Sequence, residues 1–339
     1  GQQVPPVHVH FILSDFCNQD CSFCSYRMSG GFSTELFKGE DGEKNPQRMM
    51  PKEKAIEILD DLAPLGCRAV QFTGGGEPTV HPQHHEIFGH ALRLGFDCAL
   101  VSNGAVMREM TLALLPQFSW VRISLDAGKP ETYSRIRRVP ESIFPRVLGN
   151  LSRLRDAVGE AGTPCLIGVG FVVTRDNWRE IVMGVKLARD HGAHNVRLSA
   201  VFSEQGADRY VGVESDIARQ IEFAKGLETA DFQVINSFNA RVDDLVQGRP
   251  DYEFCSYQQL VLYIGGDQQV YRCCTTSYTT HGHIGDLKRQ RFSEWFASNE
   301  KERAIGEFDA RSCHHCQFND KNRTALYLIE KRPTHVNFV

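Results

Sequence analysis

Residues 69–126 read AVQFTGGGEPTVHPQHHEIFGHALRLGFDCALVSNGAVMREMTLALLPQFSWVRISLD, and the alternation inside them decides the fold. Three short apolar runs, AVQFTGG, FDCALVSN and WVRISLD, are separated by segments of helical length, 84–94 and 107–115, whose apolar residues recur every three or four positions. Strands divided by helices pair in parallel, because the chain returns to the sheet through a right-handed crossover. Working outward, VHVHFIL (7–13), CLIGVGFVV (165–173) and NVRLSAVF (195–202) bring the strands to six, with further helices over 52–65, 144–158 and 178–191. Six such units make a partial barrel or an open doubly wound sheet, and in both arrangements ligands gather where strands end and loops begin.

The 339 residues, 41% hydrophobic and 24% charged, suffice to bury a large core. A net charge of −4 lacks the basic excess of a dedicated nucleic-acid binder, so nucleic acid is not indicated. No apolar run is long enough to span a membrane and no secretory signal is present, so no membrane association and a cytoplasmic location are expected. Residues 27–50 form a polar, glycine-containing insertion, either a lid or a mobile loop. After residue 202 the alternation fades, a helix is expected over 214–227, and the chain divides near residue 235 into a core (1–235) and a C-terminal unit (236–339).

Eleven cysteines in a reducing compartment point to metal ligation rather than disulfides. Cys17, Cys21 and Cys24 follow the first strand at Cys-x3-Cys-x2-Cys spacing. Three thiolates leave one iron of a four-iron cluster open to an exogenous chelator; a zinc knuckle would need His8, His10 or Asp15 as a fourth ligand. Strand ends present further polar groups: Gly74, Gly75, Gly76 and Glu77 after the second, Ser102 and Asn103 at the third, Ser124 and Asp126 at the fourth. Near the C-terminus, Cys255, Cys273, Cys313 and Cys316 could close a four-thiol site for structural zinc or an iron-sulfur cluster, with Cys274 as an alternative to Cys273. His81, His84, His85 and His90 suit helix-start and surface positions, and Cys67, Cys98 and Cys165 suit small buried hydrophobes.

The segment Cys17, Cys21, Phe23, Cys24 resembles the radical SAM superfamily motif Cys-x3-Cys-x-aromatic-Cys. The resemblance implies a partial (β/α)6 TIM-like barrel and a [4Fe-4S] cluster whose open iron chelates S-adenosylmethionine. Reductive cleavage would then yield a 5′-deoxyadenosyl radical that takes hydrogen from substrate. It further implies that Gly74–Glu77 is the family's GGE segment holding the methionine amino group, and that Ser102, Asn103, Ser124 and Asp126 serve ribose and carboxylate. Arg137 would serve the methionine carboxylate, Phe23 as the motif's aromatic counts among the cofactor-binding residues, and Tyr26 beside the cluster would line the adenine pocket or simply pack.

The C-terminal cysteines resemble the SPASM extension or its shortened Twitch form. That likeness implies one auxiliary [4Fe-4S] cluster on Cys255, Cys273, Cys313 and Cys316, although the interval from Gly266 to Cys273 is longer than usual and a second cysteine set is absent. Cys274 and Cys165 are candidate hydrogen donors to a substrate radical. The implied partners are a small-molecule, nucleoside or peptide substrate and an electron donor such as flavodoxin or ferredoxin. With the first strand at residue 7, no leader-peptide-binding domain is expected ahead of it. The competing function is a non-catalytic iron-sulfur electron-transfer or zinc-stabilised binding protein.

Overall fold

The computed structural model describes residues 4–39 and 42–330. Its strands are β1 (His8–Ile12), β2 (Ala69–Thr73), β3 (Asp97–Ser102), β4 (Trp120–Ser124), β5 (Leu166–Val173), β6 (Asn195–Ala200), β7 (Gln233–Asn236), β8 (Val261–Ile264), β9 (Gln269–Tyr271) and β10 (His283–Asp286). They form one ten-stranded sheet in the order β10-β9-β8-β1-β2-β3-β4-β5-β6-β7. All six expected strands are present, but the count of six is corrected. β7 adds in parallel to β6, β8 adds in parallel to β1, and β9 and β10 continue antiparallel. β7 and β8 are not neighbours, so the barrel is partial and unclosed.

The sheet forms around strands that alternate, β1, β2, β4 and β6 most regularly. On its outer side Val9, Phe11, Val70, Phe72, Val121, Ile123, Val196 and Leu198 are buried against the helices. On the inner side His8, His10, Gln71, Arg122, Ser124, Asn195, Arg197 and Ser199 are only half-buried. Closed barrels fill that space with branched aliphatic side chains. Here it is a polar lumen that solvent reaches.

The helices keep the expected places with physical adjustments. Lys52–Leu65 ends where Gly66 takes φ 93° and donates its N–H to the Ala63 and Leu62 carbonyls, a left-handed cap that glycine adopts without steric cost. The helix expected over 107–115 shrinks to Glu109–Leu112 and a short turn Leu115–Gln117, because Pro116 supplies no N–H. Among its described residues the insertion 27–50 has neither helix nor strand. Its described residues form a packed strap: Phe37 is fully buried, Leu36 N donates to Tyr278 O at 2.8 Å, and Glu35 accepts from Thr280 N and Oγ1 at 3.0 and 2.6 Å.

Candidate active site

Cys17, Cys21 and Cys24 lie on the loop leaving β1, at the carboxyl end of the sheet. The strap grips this loop. Cys17 N donates to Asn45 Oδ1 and Asn45 Nδ2 donates to Cys17 O, both at 3.0 Å. The Arg27 guanidinium donates to Gln19 O and Asp15 O, each at 3.1 Å, and to Asn45 Oδ1 at 2.9 Å. From the other side, Asp20 N and Ser22 N donate to Arg137 O and Ile136 O at 3.1 and 2.8 Å, tying the loop to the helix Pro130–Arg137.

The Arg137 side chain returns to the thiols. Its Nη1 donates to Gln19 Oε1 at 2.9 Å and lies 3.6 Å from Cys21 Sγ, and its Nη2 pairs with Asp126. Its Nε is buried without a protein partner. Asp126 is held with φ 56° just past β4, where Oδ1 accepts from Val172 N at 2.6 Å and its carbonyl accepts from Asn177 Nδ2 at 2.8 Å. Burial pushes the Cys21 thiol up to about 11, opposed by the Arg137 charge. Its ligating thiolate form therefore needs the positive charge of a metal beside it.

The glycines after β2 are dictated by close approach. A Cβ on Gly75 would meet the Phe37 ring at 2.6 Å and Asp15 Oδ1 at 2.8 Å, and one on Gly76 would meet the Phe16 carbonyl oxygen at 2.0 Å. A Cβ on Gly74 would strike the Gly76 carbonyl. Glu77, 2% exposed, accepts at Oε1 from Thr79 N, Thr79 Oγ1 and Ser102 Oγ, while Oε2 accepts only from Asn103 N at 2.7 Å and keeps a lone pair. Ser102 Oγ also accepts from Gly104 N at 3.0 Å, so this hydroxyl braces the β2 and β3 loops against each other. Asn103 Nδ2 donates to Asn18 Oδ1 at 2.8 Å and lies 3.9 Å from Cys17 Sγ. Ser124 is half-buried at the end of β4, paired with Gly170.

Phe23 lines a cleft of about 580 Å³ with Ser22, Thr174, Arg175, Gln205 and Arg209. Tyr26 does not join it there. Its hydroxyl pairs with Tyr263 Oη at 2.9 Å and its ring packs on Phe37 and Tyr278, because the strap and the C-terminal unit enclose it. Cys165 is likewise separated from the site: it precedes β5 at the opposite end of the sheet, 2% exposed among apolar neighbours of the core.

In the C-terminal unit, the expected hairpin around Gly265 and Gly266 is β8 and β9. Cys255, Cys273, Cys313 and Cys316 line one small space of about 20 Å³ together with Tyr257, Arg272 and Phe318. Burial, with Cys273 and Cys316 adding like charge, pushes the Cys255 thiol up to about 12. Cys316 Sγ accepts from Phe318 N at 3.3 Å and Tyr252 Oη at 3.5 Å, and His281 Nε2 stands 3.7 Å from Cys313 Sγ. Cys274 faces away, against the Tyr26 and Tyr263 cluster, where Gln317 Nε2 donates to its Sγ at 2.9 Å. Among the described residues, no three His, Cys, Asp or Glu side chains converge on a single ion position.

Several site residues carry no local sequence signal. Asp15, fully buried between Arg48 and Tyr278, props the base of the cysteine loop, and Arg27, Asn45 and Arg48 resemble ordinary polar loop residues. His81 and His84 are structural: His81 Nε2 bonds Met50 O at 2.9 Å, and His84 bonds His81 O and Thr111 Oγ1, each at 2.6 Å. His90 pairs with Asp60 at 2.7 Å near the surface.

The chain is 30% identical over 182 residues to an S-adenosylmethionine-dependent nucleotide dehydratase of Flammeovirga pacifica, covering 53% of this chain and 58% of that protein. It is 30% identical over 139 residues to the antilisterial bacteriocin subtilosin biosynthesis protein AlbA of Bacillus subtilis (strain 168), covering 39% and 27%. The chain spans about half the length of the first curated relatives it matches. Among solved structures, Streptococcus suis SuiB bound to S-adenosylmethionine superposes with a TM-score of 0.64 at 13% identity, covering 88% of this chain and 67% of that one. Polyhistidine-tagged anSMEcpe with bound AdoMet gives 0.60 at 17%, covering 89% and 83%. These likenesses are of fold. The sequence model of the Radical SAM superfamily matches residues 11–183, just over half of the sequence and all of the cysteine loop and glycine segment. The chain therefore belongs to the radical SAM superfamily, a family that implies S-adenosylmethionine and a [4Fe-4S] cluster as the groups its site serves.

Proposed function

We propose that this chain is an enzyme that binds S-adenosylmethionine at a [4Fe-4S] cluster held by Cys17, Cys21 and Cys24 and begins radical chemistry on an organic substrate in the lumen. The observation that carries this reading is the convergence on three loop thiols of a buried guanidinium, Arg137, 3.6 Å from Cys21, and of Asn103, 3.9 Å from Cys17. When bound, the cluster and S-adenosylmethionine supply an electron and a 5′-deoxyadenosyl radical that abstracts hydrogen.

The chain's own residues bind and orient. Arg137 balances thiolate charge and keeps its buried, unpartnered Nε available as an anion donor, the role of the methionine carboxylate's partner. Glu77 Oε2 offers its remaining lone pair to an ammonium, and Gly74 to Gly76 bring bare backbone close. Asn103, Ser124 and Asp126 edge the strand ends where ribose would lie, while Phe23 supplies an apolar wall that keeps water from the reacting carbon. Cys274 remains the candidate hydrogen donor.

Residues 1–235 would form the radical-generating core and residues 236–339 a SPASM- or Twitch-like unit whose Cys255, Cys273, Cys313 and Cys316 hold one auxiliary [4Fe-4S] cluster. That cluster would receive an electron from a product radical or anchor substrate, with flavodoxin or ferredoxin as reductant. The similarity to a nucleotide dehydratase, and the fold shared with SuiB, solved with the precursor peptide SuiA, support a nucleotide or peptide substrate. Anaerobic reconstitution is expected to give about eight irons per chain and dithionite-dependent 5′-deoxyadenosine that disappears in a Cys17, Cys21, Cys24 triple alanine variant. Zinc in place of iron, or deoxyadenosine that does not depend on the three cysteines, would refute the reading.

A further inference from the structure

The lumen carries two arginines that the radical machinery does not use. Arg122 on β4 pairs in register with Gly168 on β5, and Gly168 and Gly170 pair with Asn195 and Arg197 on β6. Strands stand about 4.8 Å apart and Arg197 is two residues further along than the register partner of Arg122, so the two arginine backbones are about 12 Å apart, separated only by a strand that presents no side chain between them. Arg122 leans over that bare floor and Asn195 reaches it from β6, with Arg197 at its far edge. A Cβ on Gly168 would lie 2.9 Å from Asn195 Oδ1 and 3.6 Å from Arg122 Nε, and one on Gly170 would lie 3.5 Å from Arg122 Cδ.

The polar atoms on this floor lack partners. Arg122 Nε, Arg197 Nε and Asn195 Oδ1 are each buried without a hydrogen bond. Among the described residues no carboxylate offsets either guanidinium. Burial lowers both, Arg197 to about 10, with Arg122 and Arg241 adding like-charge repulsion and Cys274 giving a weak opposing pull. Orphaned donors and unneutralised like charges destabilise the free protein. A guanidinium pair is suited to bind an oxyanion through paired N–H groups.

We propose that Arg122 and Arg197, on either side of the Gly168 and Gly170 floor, form a receptor for an oxyanion of the substrate, a phosphate or a carboxylate. The proposal rests on the radical reading above and adds the substrate's charge class to it. Arg122 lies two residues below the carboxyl end of β4, so a substrate anchored there spans about 7 Å to the strand ends where hydrogen abstraction would occur.

The test uses the anaerobically reconstituted full chain, titrated by calorimetry and thermal shift with tripolyphosphate and, separately, citrate, at ionic strength matched with NaCl. At least one anion should bind wild type and raise its melting temperature. Binding should weaken about tenfold or more in Arg122→Gln and in Arg197→Gln, and far less in Arg197→Lys. Without anion, Arg197→Gln should melt no lower than wild type, because it removes repulsion; a merely structural arginine would give the opposite. Tripolyphosphate binding assigns the anion to phosphate and citrate binding to carboxylate. Gly170→Ala narrows the floor at an ordinary contact distance without changing charge and should weaken the same anion. Equal anion responses in wild type and both glutamine variants, or none beyond NaCl, would overturn the proposal. Wild-type 5′-deoxyadenosine formation without substrate is measured in parallel: its presence beside a failed anion response leaves the radical reading standing, and its absence beside a successful one removes only that reading.

Discussion

Cys273 and Cys274 are adjacent in sequence and serve different surroundings. Cys273 lines the space shared with Cys255, Cys313 and Cys316, whereas Cys274 packs beside Tyr26 and Tyr263 and accepts from Gln317. Spacing alone left either one available as a ligand; direction separates them. Cys273→Ser is therefore expected to lower the iron of the reconstituted protein from about eight to about four per chain, while Cys274→Ser keeps about eight. Equal losses in both variants, measured as iron and acid-labile sulfide, would show that the two thiols share the auxiliary site. The first cysteine set was legible because its ligands are compressed into eight consecutive residues, 17–24. Its supports were not, because Asn45 reaches Cys17 across 28 residues and Tyr278 reaches Asp15 across 263, separations at which no local pattern survives.

Elements declared themselves in proportion to their periodicity. β1 to β6 run for five to eight residues as apolar or alternating stretches and were readable, and the alternation of β4 and β6 hid a polar lumen whose arginines look like ordinary outward charges until the sheet curls around them. β7 has four residues, QVIN, with one buried side chain, too short for an alternating signal. The strap 27–50 has no period at all, since it is held by Phe37, Arg27 and Arg48 rather than by its own hydrogen-bond ladder. The helix His84–Arg93 shows how an element can be tied at its start by a titratable group. Burial holds the His84 imidazole neutral, lowering it to about 4 from 6.5, while both ring nitrogens are bonded. A folded-state value below the unfolded one gives stability that is complete above pH 6.5 and is lost as the pH falls toward 4, at up to about 1.4 kcal/mol per pH unit. His8 and His10 are lowered in the same direction and leave a residual slope. His84→Gln should flatten the decline of melting temperature between pH 6.5 and 4 relative to wild type, and an unchanged slope would show that His84 is not what couples this turn to protonation.

At the scale of the whole molecule, the C-terminal unit and the core share a sheet. β8 supplies the parallel partner of β1 from His8 to Phe11, and β9 and β10 extend the sheet beyond it. Aromatic residues from both parts, Phe37, Tyr263, Tyr271 and Tyr278, are buried together behind the cysteine loop. Tyr278 also bonds Asp15, Leu36 and Gly266, so the base of the loop is partly built from residue 278. The proposed boundary near residue 235 would thus separate two proposed cluster-binding parts without dividing two folding units. Removing residues 257–339 would strip the ladder partners from one edge of β1 and uncover the apolar faces of Ile12 and Phe37, leaving an unprotected edge strand of the kind that pairs with other chains. The fragment 1–256 is expected to aggregate or to unfold without a cooperative transition, and to retain little iron even after reconstitution. Size-exclusion chromatography and calorimetry on that fragment decide the matter. A monomer with a sharp melting transition and about four irons would mean that the core folds alone and that β8 is an accessory to it.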